Sequence, residues 1–287
     1  MTPDLRLAGA GGEVRVRPER GAKLTSLRSP DGLEWLSTGR ESWSGPGFTE
    51  SEMGGWDECA PTISAARLQD GRALGDHGDV WDEPWRVVRH DGVELTCEVD
   101  VPRLGFSLRR RITPTGAGFR LDYRARSLPA APPLPFLWAA HPQFIAPERL
   151  LVHHLREVLP THPVVADAPV PWDGPPPMVA TGGAAPEVPR AHKVWAHKVW
   201  AHRPRLPAEV VLGREGWDLV LGWGGAPLRS VALWFDPAEY AETPVVAVEP
   251  ATGTGDDVSR LVPGDEVAVL SHEHPLEWWV ELSFRRT

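Results

Sequence analysis

Two residues far apart in the chain have the type and surroundings of an acid–base pair. His141 stands in FLWAAHPQF (136–144), after an apolar run and directly before Pro142. Glu249 closes the apolar run 245–248 in VVAVEPATG. A carboxylate at the end of a buried strand loses hydration, which disfavours its charged form and raises its pKa toward neutrality. It then becomes a usable general base, and imidazole is the side chain most often paired with such work. Two further islands, GGWDECAPTI (54–63) and DHGDVWDEPW (76–85), set polar groups amid apolar flanks. They offer His77, Asp57 and the indoles Trp56 and Trp81 to a ligand with polar edges and an apolar face.

Taken singly, each residue has a structural explanation. His141 reads as a packed core histidine, and Glu249 as a strand end accepting turn N–H groups. Asp57-Glu58 and Asp82-Glu83 read as solvated loop charges. The histidines are scattered and form no tight ligand pair on one element, so neither a metal nor a cofactor is expected.

The segments that must position these groups read as strands. With 31 prolines and 28 glycines in 287 residues, long helices are scarce, because an interior proline removes a helical hydrogen bond and clashes with the preceding turn. Period-two alternation recurs instead. It puts Val14 and Val16 on one face, and likewise Leu95, Cys97, Val99 and Val101. Phe106, Leu108, Arg110 and Ile112 share a face, as do Phe119, Leu121 and Tyr123. Trp217, Leu219, Leu221 and Trp223 form another set, and Trp278, Val280, Leu282 and Phe284 a last one. SVALWF and PVVAVEP are continuous apolar runs, as expected of strands buried on both faces. The expected fold is all-β, a large antiparallel β-sandwich forming a single domain over 1–287. The Pro- and Gly-rich stretch 160–189 reads as a long surface excursion, a lid or a mobile segment. After it AHKVW occurs twice in tandem, at 191–195 and 196–200, too short a unit for a solenoid.

Composition excludes several classes. Asp and Glu number 39 against 30 Lys and Arg, a net charge of −9, so a nucleic-acid partner is not expected. No run approaches the roughly 18 apolar residues of a membrane span. The opening MTPDLRLAGAGG lacks the basic and apolar regions of a secretion signal. Cys59 and Cys97 form one bridge at most. The expected setting is cytoplasmic and reducing.

The four islands, in order and approximate spacing, resemble the aldose 1-epimerase (galactose mutarotase-like) family. The resemblance runs over nearly the whole chain. GAKLTSLRSPDGLEWL resembles the family's opening hairpin. His77 of DHGDVW matches the His-Gly island that holds sugar hydroxyls, His141 of WAAHPQF the general acid, and Glu249 of VEPATG the general base. The resemblance implies a large twisted β-sandwich (the supersandwich) whose concave face holds a sugar. It also implies an enzyme that interconverts α and β anomers through the open-chain aldehyde, with Glu249 at the anomeric hydroxyl and His141 at the ring oxygen, on opposite sides of the ring. Where family members carry a sugar-binding arginine, this chain has Trp56, Asp57 and Glu58, so the expected substrate is an unphosphorylated monosaccharide or close derivative. An aspartate contact of the family has no evident match. Lys193 or Lys198 of the repeat lies in about the right region, and Lys198 is taken as a substrate contact. A non-catalytic carbohydrate-binding or sensing protein on the same scaffold is the alternative, since fold does not fix function. Glycoside cleavage or lyase action is a third.

Overall fold

The computed structural model describes residues 3–39, 45–51, 53–162, 166, 168–175, 196–201 and 209–287. Among these, two large antiparallel sheets carry the architecture, and the only helical elements are short 3-10 turns. The first sheet runs Leu5–Gly9, Gly12–Arg17, Lys23–Arg28, Trp56–Cys59, Ala139–Pro142, Val245–Ala251, Ser230–Asp236, His197–Ala201, Glu157–His162 and Val170–Pro171. Phe144–Ile145 pairs alongside Val245–Ala251. The second sheet runs Arg149–Val152, Glu209–Arg214, Trp217–Gly224, Leu276–Arg286, Gly118–Ser127, Phe106–Pro114, Leu95–Val101 and Arg86–His90.

The alternation read from sequence is the alternation of burial. Each of the inward-facing sets named above is buried, from Val14 and Val16 to Trp278, Val280, Leu282 and Phe284. The two continuous apolar runs lie at the middle of the first sheet, and Val245–Ala251 is buried throughout. Cys59 and Cys97 are buried free thiols. No helix among the described residues is long and apolar enough to cross a membrane.

Arg110 breaks the apolar pattern of its face, and the packing explains why. Its Nη1 donates to Glu58 Oε1 at 2.7 Å, while its Nη2 reaches the Ala22 carbonyl. Tyr123 Oη donates to Glu58 Oε1 at 2.9 Å, and Trp138 Nε1 to Oε2 at 2.7 Å. Glu58 and Arg110 are 0% and 1% exposed, so this charge pair ties one sheet to the other inside the core. Burial pushes the Glu58 carboxyl up, against the pull of Arg110 and the three donors.

Of the 160–189 excursion, residues 160–162 end the strand Glu157–His162 and Val170–Pro171 forms the edge strand beside it; 163–165, 167 and 176–189 lie outside the described residues. The second copy of the repeat supplies the strand His197–Ala201, and the first copy, with Lys193, lies outside the described residues. Deleting Ala191–Trp195 leaves AHKVWA unchanged through this strand. The shortened chain is therefore expected to melt within a few degrees of the parent and to keep the same cooperative unfolding. Thermal unfolding of the two chains checks this.

Candidate active site

Directly opposed residues of an antiparallel pair put their side chains on the same face. Following the register across the first sheet assembles the site. Asp57 opposes His141, and Cys59 opposes Ala139, which opposes Ala251 two residues from Glu249. Glu249 opposes Ala232, Trp234 opposes Lys198, and Lys198 opposes His162. Asp57, His141, Glu249, Lys198, Trp234 and His162 therefore share one face. Trp56, Glu58, Val248 and Leu233 fall on the other, toward the second sheet.

On that face His141 Nε2 lies 3.7 Å from Glu249 Oε1, both side chains nearly inaccessible. They form part of the wall of a cavity of about 260 Å³ that also meets His77, Lys198, Trp234, Tyr240 and Asp256. The expectation that the two groups flank a sugar ring from opposite sides is corrected here. Their strands are neighbours, so they stand side by side on one wall with the hollow next to them.

His77 comes from a loop, and its placement is built locally. Gly78 crosses the Ala60 carbonyl so closely that any side chain there would collide with it, and Asp79 N–H donates to the same carbonyl. His77 itself adopts φ 58°, a left-handed conformation uncommon outside glycine and costly for a side chain of its size. Its ring stacks on Phe48 with centroids 3.7 Å apart and stands edge-on to His141 at 5.7 Å. His77 Nδ1 faces Asp76 Oδ2 at 3.1 Å, which holds the aspartate below its ordinary range.

The electrostatics follow from burial. Burial pulls His141 well below the ordinary imidazole range, helped by His77 and Lys198 nearby. It pushes Glu249 above the ordinary carboxylate range, although Lys198 pulls the other way. Lys198 Nζ lies 2.7 Å from Glu249 Oε2 and 2.9 Å from Asp256 Oδ1, and these carboxylates hold it firmly protonated. Trp234 Nε1 and Thr161 Oγ1 are buried atoms without a hydrogen-bond partner among the described residues, on residues that line the cavity.

Of the seven residues singled out from sequence, the cavity brings together His141, Glu249, His77 and Lys198. Asp57 lies on the right face but is paired with Lys23 at 3.1 Å, both buried, one strand away from Glu249's neighbour His141. Trp56 points into the core, edge-on to Phe144. Trp81 lies beyond Phe48 and lines a separate hollow of about 450 Å³. The even spacing in WDEC separates these roles: Trp56 and Glu58 go inward, Asp57 and Cys59 to the site face. Sequence reasoning missed Asp256, Phe48, Trp234 and Tyr240. Asp256 follows Glu249 by seven residues in ATGTGDD, where glycines mark only a turn.

No protein-family model matches the sequence, and no curated protein matches it. Solved structures do. The Slr1438 protein of Synechocystis sp. PCC 6803 superposes with a TM-score of 0.77 at 17% identity, covering 100% of this chain and 97% of its own. A galactose mutarotase-like protein from Lactobacillus casei ATCC 334 gives 0.72 at 16%, covering 98% and 100%. A galactose mutarotase related enzyme from Lactobacillus acidophilus gives 0.66 at 13%, covering 99% and 98%. At these identities the likeness concerns architecture, and it spans each chain nearly end to end. The chain has the galactose mutarotase-like β-sandwich fold that its sequence resemblance implied.

Proposed function

We propose that this protein is an aldose 1-epimerase-type isomerase acting on an unphosphorylated monosaccharide or close derivative. The observation that carries the reading is the placement of His141 Nε2 and Glu249 Oε1 3.7 Å apart on the wall of a cavity of about 260 Å³. That volume is at the small end for ligand pockets, suited to one sugar ring. The anomeric hydroxyl and the ring oxygen are both bonded to C1, so adjacent groups reach both from one side. Glu249 takes the hydroxyl proton while His141 gives one to the ring oxygen, and the bond from C1 to that oxygen breaks. The aldehyde turns about C1–C2. His141 then recovers its proton from the C5 hydroxyl as this oxygen attacks the other carbonyl face, and Glu249 returns its proton to the anomeric oxygen. His77, oriented by Asp76, supplies a hydrogen bond to a sugar hydroxyl. Trp234 Nε1 and Thr161 Oγ1 are open to others, since buried polar atoms are nearly always satisfied once their partner is present.

The electrostatics favour such a cycle. An ordinary imidazole holds a proton more tightly than an ordinary carboxylate; here burial lowers the first and raises the second. The two shifts run toward each other, the direction that suits groups exchanging the roles of acid and base within one turnover. Lys198 is the one lysine or arginine among the described cavity residues, and both its close partners are carboxylates. Among the described cavity residues, no lysine or arginine is left over for a phosphate.

The active pair carries one proton. Below its window the pair holds two and Glu249 cannot accept; above it the pair holds none and nothing protonates the ring oxygen. The expected kcat/KM is bell-shaped, with apparent pKa values that belong to the pair rather than to either residue. A profile flat from about pH 5 to 9 would remove both groups from the chemistry. The direct test is NMR exchange between anomers over a panel of neutral free sugars. Sugar binding without accelerated exchange would establish the binding or sensing alternative instead.

A further inference from the structure

Glu249 has a second close neighbour that the proton transfers themselves do not require. Lys198 Nζ stands between Glu249 and Asp256 at 2.7 and 2.9 Å, and the lysine side chain is 8% exposed. An ammonium has three donors. Two protein carboxylates lie within ion-pair distance of it, so the group is committed to the site itself before any sugar enters. Its strand, His197–Ala201, and the strand of Glu249 are separated only by Ser230–Asp236, which fixes this bridge through sheet register.

We propose that Lys198 is a positioning residue that clamps Glu249 and Asp256 together and, by dividing its charge between them, sets how readily Glu249 takes up and releases a proton. The proposal rests on reading Glu249 as the proton acceptor of the anomer exchange. The groups facing this carboxylate are His141 from Ala139–Pro142, Lys198, Asp256 beyond the end of its own strand, and His77 from the loop. Cys59, from Trp56–Cys59, is near enough to feel its charge. Lys198 alone among them is a committed cation in contact. Asp256 opposes it in two ways, by repelling Glu249 and by drawing off part of the ammonium's attraction.

Removing the cation and removing its competitor must therefore shift Glu249 in opposite directions. The experiment is a carbon-13 NMR titration of the full-length protein, labelled at glutamate side-chain carboxyls, without sugar. The Glu249 signal is assigned by its loss in Glu249→Gln. Lys198→Met is expected to move the Glu249 midpoint up by about one pH unit or more, the usual size of an ion-pair effect. Lys198→Arg keeps it near the parent value, and Asp256→Asn moves it down. Lys198→Met is repeated with Lys193→Met, because HKVWA reads identically at 192–196 and 197–201. Midpoints unmoved in both Lys198→Met and Asp256→Asn, or moved in the same direction, overturn the proposal. If Lys198→Met does not fold, the downward shift in Asp256→Asn decides it. Opposed NMR shifts in a protein that exchanges the anomers of no sugar would uphold the lysine's role and reject the proposed reaction alone.

Discussion

Glu249→Gln is expected to lower catalysed anomer exchange by about 10²- to 10⁴-fold, the usual contribution of one positioned proton transfer. The amide keeps the shape of the side chain and can still accept a hydrogen bond, but it cannot receive and return a proton. His141→Asn is expected to cost a similar factor. Because each group completes the other's step, the double variant should lose little more than either single one; residues that act as a unit are strongly non-additive. NMR exchange rates for the parent, both singles and the double measure this directly. Catalysis that survives both substitutions, or losses that simply multiply, would show that the groups do not work as a pair.

The largest effect on stability is expected at Glu58. Replacing it by Ala strands the Arg110 guanidinium between the sheets, along with donors from Tyr123 and Trp138 that lose their acceptor. Breaking a buried pair from one side costs about 3–5 kcal/mol, because the remaining charge is left in a medium that solvates it poorly. Exchanging both partners for methionine removes the stranded charge, so the double variant should be more stable than Glu58→Ala. Urea unfolding of the two chains tests the argument. A single-variant loss below about 1 kcal/mol would mean that water or rearrangement relieves Arg110.

Much of this architecture was legible in the sequence, because period-two burial is written residue by residue. Even Arg110 could be placed on the inward face by its neighbours Leu108 and Ile112, though its partner could not be identified. The site was legible in part. His141 and Glu249 carry a local signal, a polar group breaking a buried run. Whether they flank a ring or stand together depends on strand order, which no local pattern contains. The adjacent carboxylates of WDEC show the same limit. Reading Asp57-Glu58 as loop charges failed because the segment is a central strand with both faces covered, and each acid found a cation there, Lys23 and Arg110. Trp56 and Trp81 followed the commoner habit of indoles and became packing. Lys198 was legible as a polar contact in a repeat, and only the neighbouring strands make it the partner of Glu249.

That repeat also bears on how such a protein tolerates changes in length. An insertion of an odd number of residues into a strand ordinarily turns every later side chain inside out, which here would send a lysine into the core and a valine toward the cavity. Tandem copying is the exception. Whichever copy occupies the strand, the same five letters meet the same neighbours, so a replication slip can lengthen the gene within the coding sequence of a pocket wall while the pocket stays chemically the same. A spare copy of a working strand is then free to drift, and this chain carries one immediately upstream of the lysine that grips Glu249.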